Sequence, residues 1–177
     1  MFDSDIEAQL TKQDYTPTQR IGGVEVIDLK EFADDGGSFL EMGRLDAGHL
    51  QGASGLEVRQ INYSVVLPGA IKATHLHKKQ VDFWFVPSHD RLLVGLKDIR
   101  SGSATEGVVM RFVLGAGRAR MVRIPNGVAH GVANPYERPM SLIYFVTEQF
   151  NSNSKVCDEF RLPPEYFGTG FWEIKAG

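Results

Sequence analysis

The stretch "PNGVAHGVAN", residues 125–134, decides how this chain is to be read. Pro125 and Gly127 make a turn, and a glycine there lets the backbone reverse without a Cβ clash. From Val128 onward the residues read as strand, which delivers His130 to one end of whatever the strands enclose, with Asn134 four residues on. Upstream, "KATHLHKKQVDFW", residues 72–84, places His75 and His77 two apart in another strand-like run. Residues i and i+2 of a strand share a face. Both imidazoles therefore look the same way, with Asp82 a few residues on.

The same texture extends in both directions. β-rich runs follow one another as "GVEVIDL" (23–29), "SFLEMGRL" (38–45), "VRQINYSVVL" (58–67), "IKATHLH" (71–77) and "VDFWFVP" (81–87). They continue as "RLLVGLKDI" (91–99), "VVMRFVL" (108–114), "ARMVRIP" (119–125), "GVAHGVAN" (127–134) and "MSLIYFVTEQF" (140–150). Turn chemistry such as "DDGG", "LPGA", "PSHD" and "GAGR" separates them. Short strands at this spacing, with no long helical pattern, predict an all-β fold, an antiparallel barrel or double-sheet jelly roll. Residues 1–20 lack a period and read as an arm or short helix. Residues 21–177 form the domain, closed by an aromatic tail broken by prolines, "DEFRLPPEYFGTGFWEIKAG".

A length of 177 residues fits one domain with room for a core. The net charge of −3 gives no general basic character to recommend nucleic acid as a partner. Cys157 is the lone cysteine, which excludes an internal disulfide and a cysteine-based zinc site. The opening "MFDSDIEAQLTKQD" is acidic where a secretory signal needs a basic end, and no apolar run approaches the ~20 residues of a membrane span. The expectation is a soluble cytoplasmic protein with neither a membrane nor nucleic acid as partner.

Together the two histidine stretches resemble the two signature motifs of the cupin superfamily. The first runs from Gly69 to His75, His77 and Asp82; the second is carried by Pro125, Gly127, His130 and Asn134. The resemblance implies a cupin-type barrel with a pocket at the histidines. Metal-binding cupins would place an ion on His75, His77, Asp82 and His130, a set of imidazoles and carboxylate that suits Fe, Mn, Ni or Zn. Lys78 and Lys79 beside that set would oppose a cation unless they point outward.

A wider likeness runs from about residue 24 to 150. "DDGGSFLE" with Asp34, Gly37, Phe39 and Glu41, "QINYS" with Gln60, Asn62 and Ser64, and "KATH" ending on His75 resemble stretches of the dTDP-4-dehydrorhamnose 3,5-epimerase family. So do "DIRSGSATEG" (98–107), "IPNGVAHGV" (124–132) and "LIYFVTEQFN" (142–151), the last placing Tyr144 on the family's tyrosine. That family consists of cupins that work without metal, so the resemblance implies no cofactor. It implies isomerisation of a 4-keto-6-deoxy nucleotide sugar, with a proton removed next to the ketone and one returned on the opposite face.

Such a reaction needs a base, and histidine is suited to that role near neutral pH. It needs positive charge or a donor for the enolate oxygen, and an acid on the other side. Carried over from matched positions, His75 is the base and Tyr144 the acid, with Gln60, Asn62, Lys72, His130, Phe39 and Glu41 in contact with substrate. A homodimer in which early strands cross to the partner is also implied. Several family features are replaced. Gly36 stands at an arginine position, the enolate lysine has no clean counterpart (Lys79 is nearest), and the acidic partner of the base has no matched position, with Asp158 and Glu173 as candidate substitutes. Three other readings stay open: a 3,4-ketoisomerase of the same substrate class, a metal-dependent cupin, and a non-catalytic sugar-binding cupin.

Overall fold

A computed structural model describes residues 2–12, 16, 18–51 and 56–175. Near its start lies one helical turn, α1 (Ser4–Glu7), capped by the Asp3 side chain. The strands are β1 (Glu25–Asp28), β2 (Glu31–Asp34), β3 (Gly37–Leu40), β4 (Leu45–Asp46), β5 (His49–Leu50), β6 (Gln60–Val66) and β7 (Ile71–Leu76). Then come β8 (Asp82–Phe85), β9 (Arg91–Asp98), β10 (Val109–Gly115), β11 (Arg120–Ile124), β12 (Val128–Ala133), β13 (Met140–Val146) and β14 (Phe160–Arg161). A 3₁₀ turn, Pro164–Phe167, follows.

The long strands form two antiparallel five-stranded sheets, ordered β1-β11-β8-β13-β6 and β10-β9-β12-β7-β14. The all-β double-sheet fold read from the sequence is the fold found. Between the sheets lies a core of Val66, Trp84, Val86, Leu92, Val94, Leu96, Val122, Val132, Met140 and Leu142. These residues alternate along their strands, as burial of one sheet face requires.

Strand β8 is buried along its whole length. Trp84 faces the inner core, whereas Phe83 and Phe85 face outward into a second cluster with Leu50, Val81, Met121 and Phe145. The segment from Leu29 to Val58 covers that outer face with Leu29, Leu40, Met42, Leu56 and Val58. The sequence reading gave "SFLEMGRL" as one strand, but the structure breaks it. Its first part pairs with β2 in a hairpin, and its end begins the small β4–β5 pair. On the outer face of the second sheet, Phe167 and Trp172 from the tail pack with Leu93 and Ala133.

Two glycines in the opening motif have definite tasks. Gly127 has φ +75°, and a Cβ there would meet Arg100 Cγ at 2.5 Å. Gly131 lets β12 close on β7, because a Cβ would lie 2.4 Å from that of Ala73. At that crossing the β12–β7 register slips between His130 and Val132, pairing His130 with His75 and Val132 with Lys72. The irregularity brings Lys72 and His75, three apart, to the same cavity, which an even alternation would have forbidden.

Candidate active site

A cavity of about 690 Å³ opens between the two sheets, within the size range of small-molecule sites. One wall is β6 and β13, with Gln60, Asn62, Ser64, Leu142 and Tyr144; the other is β7 and β12, with Lys72, His75, His130 and Val132. Residues 156–161 close one side. Sequence reasoning placed Gln60, Asn62, Lys72, His75, His130 and Tyr144 together, and the structure assembles them around this one space.

His75 makes contacts at both ring nitrogens. Its Nδ1 lies 3.2 Å from Glu159 Oε1, and its Nε2 lies 3.0 Å from Arg161 Nη1. A guanidinium can only donate, so Nε2 holds the lone pair and Nδ1 carries the hydrogen toward Glu159. Arg161 also donates to Glu159 at 2.7 Å. The ring stacks on that of His130, with centroids 5.9 Å apart and planes 7° from parallel. Burial, then the neighbouring His130, Arg161, His77 and Lys72, lower its pKa to about 3. The ring is thus neutral, with its Nε2 lone pair held by Arg161.

Tyr144 stands on the opposite sheet, paired in register with Asn62 and Trp84. Burial first, then the carboxylates of Asp82 and Glu159, raise its pKa. The phenol therefore keeps its proton and can donate it. Lys72 Nζ donates to Ser64 Oγ at 2.7 Å across the cavity, and Gln60 Nε2 donates to Asn62 Oδ1 at 2.7 Å.

Below them His77, Asp82 and His130 form a buried group with Gln80 and Trp84. Asp82 accepts from Gln80 Nε2 at 2.7 Å and from the Trp84 indole at 3.0 Å. Burial is the main cause that lowers the His130 pKa, opposed by Asp82. Three of the four residues in the metal set read from the sequence come together here. His77, Asp82 and His130 present ligand atoms within 4.8 Å of one another. His75 is turned instead to Glu159 and Arg161.

Phe39 and Glu41 do not line the cavity of their own chain. The β2–β3 hairpin lies on the outer side of the first sheet and buries Leu40 and Met42 there. Alternation then leaves Phe39 63 % exposed, and Glu41 pairs with Arg44 at 2.8 Å. The expected partners of the base are also displaced. Asp158 accepts from the backbone amides of Lys78, Lys79 and Gln80, and the Glu173 carbonyl accepts from Arg111. The residue that sequence reasoning missed is Glu159. It is carried in by β14, where Arg161 pairs with His75 and Phe160 with Leu76. The signal was "CDEFR", in which Glu159 and Arg161 are two apart and share a face if the segment is extended.

A double-sheet barrel with a neutral histidine on one wall and a protonated tyrosine on the other defines a cupin-type site equipped for proton transfer. Residues 18–161 match the model of the family described as dTDP-4-dehydrorhamnose 3,5-epimerase, and the chain belongs to that family. It is 37% identical over 151 residues, covering 85% of the chain and 95% of the relative, to a spore coat polysaccharide biosynthesis protein of Bacillus subtilis. A probable low-salt glycan biosynthesis epimerase of Haloferax volcanii is 32% identical over 81% of the chain and 88% of its own. Among solved structures, the dTDP-4-dehydrorhamnose 3,5-epimerase of Sulfolobus tokodaii superposes with a TM-score of 0.71 at 29% identity. That match covers 87% of this chain and 83% of the other. The chain is an isomerase of the epimerase type.

Proposed function

We propose that this enzyme epimerises a 4-keto-6-deoxy sugar carried on a nucleoside diphosphate, with His75 as base and Tyr144 as acid. The observation that carries the reading is their placement on facing walls of one cavity, one on β7 and the other on β13. A proton taken from one side of the sugar ring can then be replaced from the other. His75 Nε2 accepts the proton from the carbon beside the ketone. The Glu159 carboxylate steadies the imidazolium that forms through Nδ1–H, and the electron pair left behind spreads onto the ketone oxygen. Tyr144 returns a proton to the opposite face.

Arg161, now on the base nitrogen, and Lys72 are the cations nearest His75, and a diphosphate would draw on both. Thymidine diphosphate is the carrier named for family members and the first to try. A homodimer belongs to the same reading. Edge strand β6 leaves Ile61, Tyr63 and Val65 exposed on the side away from the cavity, and the β2–β3 hairpin exposes Phe32 and Phe39.

The test is solvent-deuterium incorporation and product configuration measured on one sample with dTDP-4-keto-6-deoxyglucose. His75→Asn should lose exchange by ~10²–10⁴-fold or more. Tyr144→Phe should retain exchange into recovered substrate while inverted product falls away. Normal exchange in folded His75→Asn, or an unchanged exchange-to-inversion ratio in Tyr144→Phe, removes that residue from its role.

A further inference from the structure

The cavity holds a positive group in the one place where it opposes the proposed chemistry. His75 and Arg161 are direct partners across the antiparallel pairing of β7 and β14, so their side chains leave the sheet on one face. Arg161 Nη1 lies 3.0 Å from His75 Nε2, the nitrogen that receives the proton in the proposed reaction. Arg161 Nη2 donates to Glu159 Oε1 at 2.7 Å, and that same oxygen lies 3.2 Å from His75 Nδ1. The guanidinium thus closes a ring of contacts around the imidazole. It covers the lone pair, and it offsets the carboxylate whose charge steadies an imidazolium. A base held in this way is idle on both counts.

The fold pins the backbone of Arg161 but leaves its side chain room to move. Next to it, Leu162 N donates to Thr74 O at 3.0 Å and Thr74 N donates to Leu162 O at 3.3 Å, which ties the strap to β7. The Arg161 side chain is 57 % exposed, so the guanidinium can swing on its own stem while β14 stays docked. A diphosphate offers its planar fork two charged oxygens at once, a stronger match than one neutral imidazole nitrogen. Lys72 faces the same cavity with Nζ on the neutral Ser64 hydroxyl. A phosphate taken by Lys72 leaves the base as it was; a phosphate taken by Arg161 uncovers it.

We propose that Arg161 is a latch on the base: it covers His75 Nε2 in the free enzyme and is drawn off by the diphosphate of the substrate. Only then is the lone pair free to remove a proton, with the full charge of Glu159 behind it. The latch rests on the epimerase reading, in which His75 is the base. It adds selectivity to that reading, because a keto sugar without the diphosphate reaches a base that is still covered. Binding energy from the part of the substrate that does not react is spent on switching the base on.

The experiment presents the substrate in two pieces. Full-length protein in deuterated water receives unlinked 4-keto-6-deoxyglucose, with or without thymidine diphosphate, and deuterium uptake beside the ketone is followed by NMR. Wild type should exchange slowly, and thymidine diphosphate should accelerate it about 10-fold or more, the factor carried by one hydrogen bond to a charged group. Arg161→Ala, checked for fold by circular dichroism, should exchange the unlinked sugar faster than wild type and gain nothing from the nucleotide. A side chain needed only for packing would slow exchange instead. A second readout needs no turnover. Diethyl pyrocarbonate acylates a free imidazole lone pair, and mass spectrometry reads the modified His75 peptide, with His75→Asn as the control for His77. Acylation should be faster in Arg161→Ala, and inorganic pyrophosphate should speed it in wild type alone. Equal acylation of the two proteins overturns the latch, as does exchange of unlinked sugar that neither thymidine diphosphate nor Arg161→Ala changes. If linked sugar does not exchange while acylation differs as expected, the cover on His75 stands and the epimerase reading falls; exchange of linked sugar with equal acylation does the reverse.

Discussion

His75, the proposed base, illustrates how much of a side chain's behaviour is decided by its two immediate contacts. Glu159 fixes the tautomer from one side, while Arg161 covers the basic nitrogen from the other. In the proposed reaction, substrate has to draw Arg161 away before Nε2 takes a proton, and the phosphates offer it a charged partner. Glu159→Gln should keep the ring in place through its amide oxygen but withdraw the charge that stabilises the imidazolium. We expect kcat to fall about 10²-fold, the lower end of what a general base contributes, with KM little changed. Steady-state kinetics check this, and a change in KM alone would mean that Glu159 serves binding. His75 and His130 stood out because spaced motifs hold them, and Tyr144 only through the family resemblance of "LIYFVTEQFN". Glu159 was not, because it enters beside a strand of two residues, in a tail whose prolines hide any period.

Among the elements, the turn between β9 and β10 has the most concentrated electrostatics. Asp98 is fully buried at the end of β9. It accepts from Arg100 at 2.8 Å through both oxygens, from Ser103 at 2.7 Å and from Thr105 at 2.6 Å. The Arg100 guanidinium, helped by these hydroxyls, holds its carboxyl well below the usual carboxylate range. A carboxyl depressed on folding stabilises the protein above its unfolded pKa of about 3.9, and the contribution is lost as pH falls toward the folded value. Wild type should therefore lose stability steeply between about pH 4 and pH 2, and Asp98→Asn less steeply, in denaturant titrations at several pH values. At pH 7 the substitution should cost about 2–3 kcal/mol, below the full loss for a buried pair because Arg100 keeps some contact with water. A second element-scale expectation concerns the crossing of β12 and β7. Gly131→Ala drives a methyl into Ala73 and should cost about 1–3 kcal/mol, measurable by thermal melts. It should also weaken catalysis, since the same crossing aligns His75 with Lys72.

For the whole molecule, the two sheets were readable from turn chemistry and from the alternation of strands such as β6, although β9 and β12 are buried along nearly their whole length. Strand β8 was recognisable as a strand but not as one buried on both sides, since an apolar run does not say which cover each face receives. That cover comes from residues 29–51 and 56–58, whose short strands depend on the sheet beneath them and carry little pattern of their own. The same balance of faces predicts assembly. Ile61, Tyr63 and Val65 leave an apolar strip on an edge strand, which folded proteins seldom leave uncovered. Sedimentation of the wild-type chain should give a dimer, and Ile61→Asp with Val65→Asp should give a folded monomer. A wild-type monomer would remove this interface.

The C-terminal strap also has a history in time. The chain emerges from the ribosome in order, so the residues of both five-stranded sheets through β13 are made before Glu159 and Arg161. The cavity walls can close before Glu159 and Arg161 have docked beside His75, the proposed base. On the proposed mechanism, competence for proton transfer comes late, when β14 docks against β7.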